Sequence, residues 1–198
     1  MAKHRSKEYR LNQLKTNILI FLRGPGEYIK ENGTGHFEDD SNFRKFRRGL
    51  DEIINSSTTI YTGIFTENCE EANITKSTDD HIYSRGKVAE YILKNFIWPT
   101  TDEPLEELVE RMIPYAVAIA RVTKKENEKL KQCIKNNKLS MEDIMSMKHY
   151  KKEGLKIHHS DILCMASNTT KSGWTYKKSE LQKFPYIIDD HLKKCLTI

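Results

Sequence analysis

Apolar residues recur at helical spacing from the start of the chain. Leu11, Leu14, Ile18 and Leu22 fall three or four positions apart, which predicts a helix over 8–22, and Gly24-Pro25-Gly26 is expected to end it. Residues 33–42, with Gly33, Gly35, Asp39, Asp40 and Ser41, read as a loop. A second helix is expected from about Asn42 to Asn55, with Phe46, Leu50, Ile53 and Ile54 as its buried stripe. The period then changes. Residues 58–66 are rich in β-branched and aromatic side chains and read as a strand, and 72–83 as a second extended segment.

Helical spacing returns at 86–96 through Val88, Ala89, Ile92, Leu93 and Phe96, and Trp98-Pro99 closes that helix. Asp102 reads as the N-cap of the next, with Pro104 in its first turn, where a missing N–H does no harm. Leu105, Leu108, Val109 and Met112 follow, and Pro114 is expected to terminate it. Residues 115–123 alternate loosely and read as a strand, and a charged helix begins at about Lys124. Ser140 with Asp143 resembles a capping box opening a further helix, which Gly154 ends. The pattern as a whole predicts an α+β, mainly helical fold in a single domain over 1–198.

Composition narrows the class. With 37% hydrophobic and 31% charged residues the chain is polar, yet it holds enough apolar side chains for a core. No stretch approaches the ~20 apolar residues of a membrane span, and the basic N-terminus leads into a mixed helix instead of an apolar signal region. The expected location is therefore cytoplasmic, with no membrane partner. Cys69, Cys133, Cys164 and Cys195 are widely spaced with no C-x-x-C, so reduced, packed thiols are expected instead of a zinc site.

The net charge of +5 is modest, but its distribution is segregated. Basic residues cluster near the N-terminus, at Arg44, Lys45, Arg47 and Arg48, and again at Lys124, Lys125, Lys129, Lys131, Lys135 and Lys138, whereas Glu103, Glu106, Glu107 and Glu110 lie together. A basic face for phosphates fits this arrangement, and solvated helix surface is the plainer account of any one cluster. Arg44, Lys45, Arg47, Arg48, Lys124, Lys125 and Lys131 are the expected nucleic-acid contacts.

Two segments carry candidate chemistry. Asp79-Asp80-His81-Ile82-Tyr83-Ser84-Arg85 sets a carboxylate beside an imidazole at the end of an extended segment. Val122-Thr123-Lys124-Lys125-Glu126-Asn127 is a strand running straight into a helix, with Asn127 in its first turn. A neutral His can deprotonate water near pH 7, and a hard divalent cation held by a carboxylate and an amide oxygen can neutralise a scissile phosphate. Neighbours on an extended chain face opposite sides, so Asp80 could bind metal while His81 meets the water, or the reverse.

Asp-His-Ile-x-x-Arg at 80–85 and Val-Thr-Lys-Lys-Glu-Asn at 122–127 resemble the two motifs of the HNH, or ββα-metal, endonucleases. The resemblance implies a small β-hairpin plus helix as active site, with a core over about 72–138 and helical extensions on either side. By it, Asp80 and Asn127 are metal ligands for one Mg²⁺ or Mn²⁺, His81 is the general base, and Arg85 contacts a phosphate. Because His81 and Asn127 lie 46 positions apart, two helices are expected to be inserted within the hairpin. The implied substrate is DNA, double-stranded by preference, cut by a restriction- or homing-like enzyme that could act as a homodimer. The rival readings are a non-catalytic nucleic-acid-binding regulator and a viral protein-interaction module. His158-His159-Ser160-Asp161 and the aromatic–lysine run at 171–178 are weaker candidate sites.

Overall fold

The computed structural model describes residues 7–38, 40–57, 59–66, 68–69 and 77–159. Their order is α1 (Lys7–Asn32), a 3₁₀ turn (Thr34–Phe37), α2 (Asp40–Asn55), β1 (Ile60–Thr66), β2 (Ser77–His81), α3 (Arg85–Ile97), α4 (Leu105–Val117), β3 (Ala118–Thr123), α5 (Lys124–Asn136), α6 (Met141–Met145), α7 (Lys148–Lys152) and β4 (Ile157–His159). The class is α+β and mainly helical, as the periodicity predicts. The chain divides into two compact units, one of Met1–Thr58 with Ser84–Val117 and one of Thr59–Tyr83 with Ala118–Ile198.

The first unit is helical. α1 runs past the glycines and proline expected to end it. Pro25 removes the bond to the carbonyl four residues back, at a usual cost of about 3 kcal/mol. Yet Leu14, Ile18, Leu22 and Pro25 are all buried, so the apolar stripe continues unbroken through the proline, and its burial offsets the lost bond. α2 buries Phe43, Leu50 and Ile54, while Phe46 and Ile53, expected in its stripe, are half-buried. The two helices approach at Gly49, where a Cβ would meet the Phe21 ring at 2.8 Å. α4 likewise continues past Pro114 to Val117, and Tyr115, Ala116 and Val117 are buried in its last turn instead of opening a strand. In the nearly continuous apolar run 115–120, period alone cannot place the boundary.

The second unit carries a four-stranded sheet in the order β2-β3-β1-β4. β3 is central, with five of its six residues buried. It pairs parallel to β1 and antiparallel to β2, and β4 pairs antiparallel to β1. α3 and α4 fall in the chain between the antiparallel partners β2 and β3. α5 starts without a loop where β3 ends, through a capping box in which Thr123 and Glu126 exchange hydrogen bonds. The expected box of Ser140 and Asp143 opens α6. The single helix expected over 140–154 is divided, because Met147 sits in the left-handed region at φ 54 and turns the chain into α7. Gly154, at φ 64, ends α7. Cys69 and Cys133 are free and buried, as expected, while Cys164, Cys195 and the run at 171–178 lie outside the described residues.

Candidate active site

Asp80, His81 and Asn127 all belong to the sheet-bearing unit. β2 pairs with β3 in a register that sets Ser77 opposite Thr123, Asp79 opposite Arg121, Asp80 opposite Ala120 and His81 opposite Ile119. The pairing reaches one residue past the strand, where the Ile82 N–H donates to the Ala118 carbonyl at 3.1 Å. The Asp-His pair therefore ends a short antiparallel ladder whose other strand runs directly into α5.

The register separates the two acidic residues. Asp79 lies across from the buried Arg121, and its Oδ1 is 3.6 Å from Arg121 Nε. Alternation along the strand turns Asp80 to the other face. Asp79 thus faces Arg121 in a cross-strand ion pair. Asp80 and His81 are half-buried, and His81 Nε2 is shielded from solvent.

Asn127 occupies the first turn of α5, as its spacing from the strand predicts, and is 9% exposed. Its Oδ1 is buried and has no hydrogen-bond partner. An orphaned buried carbonyl oxygen costs about 1–3 kcal/mol, and such a group calls for an explanation such as an ion or a water. Among the described residues no three His, Cys, Asp or Glu side chains form a metal-holding group. Mg²⁺, however, is usually held by one or two protein oxygens plus water and substrate phosphate. A carboxylate at Asp80 and an amide oxygen at Asn127 fit that donor set by type.

Glu126 anchors the helix that carries Asn127. Its Oε2 accepts from Thr66 Oγ1 at 2.7 Å, from the Thr123 N–H at 2.8 Å and from Thr123 Oγ1 at 2.9 Å, and its Oε1 accepts from Asn68 Nδ2 at 2.9 Å. Burial opposes its charge, but the hydrogen bonds from Asn68, Thr123 and Thr66 outweigh burial and hold the carboxyl below its ordinary range. The Thr-x-x-Glu spacing at 123–126 is the sequence signal for this box.

His149 and Tyr150 carried no such signal. They sit in the lysine-rich run of α7, yet both are buried, at 1% and 0% exposure. His149 Nε2 lies 2.9 Å from the Ile82 carbonyl, and burial drives its pKa down to about 4.

Arg85 opens α3 in the helical unit and is half-buried. Arg44, Lys45 and Arg48 are exposed on α2 of that unit, and Arg47 is half-buried. Arg44 and Arg47 line an open pocket of about 490 Å³ together with Phe43 and Trp98, whose rings stack at 6.1 Å and 26°. Lys124, Lys125 and Lys131 are exposed on α5. Lys124 and Lys125 border a groove of about 500 Å³ that also takes in Lys129 and Gln132. The backbone of His158 and His159 forms β4, paired to β1, while Ser160 and Asp161 lie outside the described residues.

No helix among the described residues is long and apolar enough to cross a membrane. Comparison with protein-family models, curated proteins and solved structures finds no match.

Proposed function

We propose that the chain is a divalent-metal-dependent endonuclease that hydrolyses DNA phosphodiester bonds at the β2–β3–α5 element. One observation carries the reading. The Asp80-His81 pair ends a strand laid antiparallel to β3, and β3 passes without a loop into α5, where the Asn127 side-chain oxygen is buried with no partner.

In this mechanism the Asp80 carboxylate and Asn127 Oδ1 hold one Mg²⁺ or Mn²⁺. When bound, that ion supplies charge neutralisation for the scissile phosphate and the departing oxygen. His81 takes the proton from the attacking water. The imidazole must be neutral to accept it. Arg85 binds a phosphate. Arg44, Lys45, Arg47 and Arg48, with Lys124, Lys125 and Lys131, bind the backbone of double-stranded DNA and give affinity without sequence preference. Such an activity belongs in the cytoplasm of a bacterial or virus-infected cell, and a homodimer would let two such sites address both strands.

Plasmid cleavage by the purified chain tests the reading. Wild type should cut with Mg²⁺ or Mn²⁺ and stop when chelator is added. His81→Ala should cut about 10²–10⁴-fold more slowly while binding DNA as before, because a general base acts only in the chemical step. Cleavage by His81→Ala near the wild-type rate removes the assignment. DNA binding equal with and without metal, and no cleavage, favours a non-catalytic regulator instead.

A further inference from the structure

Within the helical unit, α2 and α3 enclose a trough whose walls are aromatic as well as cationic. Phe43 and Arg47 stand one turn apart on α2 with Arg44 beside them, and Glu90, Lys94 and Trp98 are successive one-turn steps along α3 and its C-cap. The space they line is about 490 Å³, within the about 300–1,000 Å³ usual for ligand sites. Glu90 to Trp98 spans about 12 Å at the helical rise, so the lining groups are strung along a line.

At one end Trp98 stacks on Phe43, with ring centroids 6.1 Å apart and planes at 26°. Phe43 is buried and Trp98 half-buried, so a firmly seated ring backs one that solvent reaches. Cations follow along the trough. Arg44 and Lys94 are exposed. Arg47 is half-buried and extends toward the first turn of α3, where a Cβ at Gly86 would stand 3.0 Å from its Nη1. It makes no hydrogen bond or ion pair with a described residue, although a guanidinium is shaped to take a phosphate bidentately. The acids of the lining are Glu38 and Glu90. Glu90 is already held by two lysines, Lys94 Nζ at 2.7 Å and Lys87 Nζ at 3.0 Å, so positive charge is in excess.

An accessible aromatic ring beside a line of cations is the combination that holds unpaired nucleic acid, the ring by stacking on a base and the cations by tracking the backbone. Bases stacked within a duplex cannot reach such a ring unless they leave the stack. We infer that this trough binds single-stranded DNA, one unpaired base stacking on Trp98 and the adjoining phosphates meeting Arg44, Arg47 and Lys94. The inference goes beyond the endonuclease reading and does not depend on it, because it involves neither metal nor cleavage.

Fluorescence anisotropy of a labelled oligodeoxyadenylate with the full-length chain, in chelator so that nothing is cut, tests it. Wild type should bind the single strand. Trp98→Leu should weaken that binding about fivefold or more, the size of one lost base stack, and change binding to a duplex of the same length less than twofold. Trp98→Phe, which keeps an aromatic face, should restore part of the loss. Arg47→Met keeps the apolar stem and removes the charge. It should weaken single-strand binding and reduce the slope of log affinity against log salt by about 0.7. Thermal unfolding checks each variant, and Arg47→Met decides alone if Trp98→Leu does not fold. Single-strand affinities within twofold of wild type for the folded variants overturn the inference. So does an equal loss on the duplex, or displacement of the strand by dAMP at matching concentration, which would make the trough a mononucleotide site. Plasmid cleavage with Mg²⁺, measured separately, leaves the endonuclease reading to stand or fall by itself.

Discussion

Replacing Glu126 by Ala tests whether α5 is pinned where Asn127 needs it. The side chain is 5% exposed, and its two oxygens accept four hydrogen bonds from Thr66, Asn68 and Thr123. Removal orphans the buried Thr66 hydroxyl and the Thr123 N–H, and deletes the capping box. A hydrogen bond to a charged acceptor contributes about 1.5–3 kcal/mol, and the loss of a helix cap about 0.5–2 kcal/mol. These contributions share one carboxylate and do not add, so the expected loss is about 3 kcal/mol. For a chain of 198 residues that corresponds to a fall of about 6–12 °C in Tm. Glu126→Gln keeps an oxygen at the Oε2 position and turns its NH₂ toward Asn68, whose amide can flip to accept, so it should cost only about 1 kcal/mol. Urea and thermal unfolding of the three proteins at neutral pH measure both values. The pH dependence has a definite sign. The folded carboxyl titrates below its ordinary range, so its contribution is present above a pH of about 4.3 and is lost as pH falls through the folded value. A Glu126→Ala variant within about 0.5 kcal/mol of wild type, or Gln as damaging as Ala, refutes the reasoning.

His149 should make stability fall between pH 6.5 and about 4. It is held neutral in the fold with its pKa lowered from 6.5 to about 4 by burial, so its contribution is complete above 6.5 and lost as pH falls through 4, by roughly 3 kcal/mol in all. Urea midpoints at pH 7 and pH 5 should differ for wild type and much less for His149→Gln, and an equal difference in both would exclude His149 as the source. Arg44→Ala combined with Arg48→Ala should weaken binding to all DNA sequences alike. It should also reduce the slope of log affinity against log salt by about 0.9 for each phosphate that is no longer neutralised, and an unchanged slope would make these residues ordinary solvated surface.

Much of the fold is legible because its signals are local. The alternation and β-branched content of 58–66, the 3-and-4 spacing at 86–96 and the Ser140–Asp143 box each depend on a few adjacent residues. The extents of α1 and α4 are not legible, because Pro25 and Pro114 break a helix only if their burial does not repay the missing hydrogen bond, and burial is a property of the packed chain. The site divides the same way. The strand-to-helix junction at 122–127 and the extended Asp80-His81 pair can be read directly, and so can two helices between them. The pairing of Asp79 with Arg121 depends on a register set between segments some forty residues apart. His149 and Tyr150 lie among Lys148, Lys151 and Lys152, and composition there describes a solvated face. Met147, in the left-handed region, opens the short helix that carries both buried side chains.

The central claim is that Asp80 and Asn127 share one divalent ion beside His81. Anomalous scattering from crystals of the chain soaked in Mn²⁺ measures this directly. The account predicts one strong peak roughly 2.0–2.6 Å from both an Asp80 carboxylate oxygen and Asn127 Oδ1, with the His81 ring lining the same cavity. A peak bound elsewhere, or none at Asp80 and Asn127 when the site is open to solvent in the crystal, contradicts it.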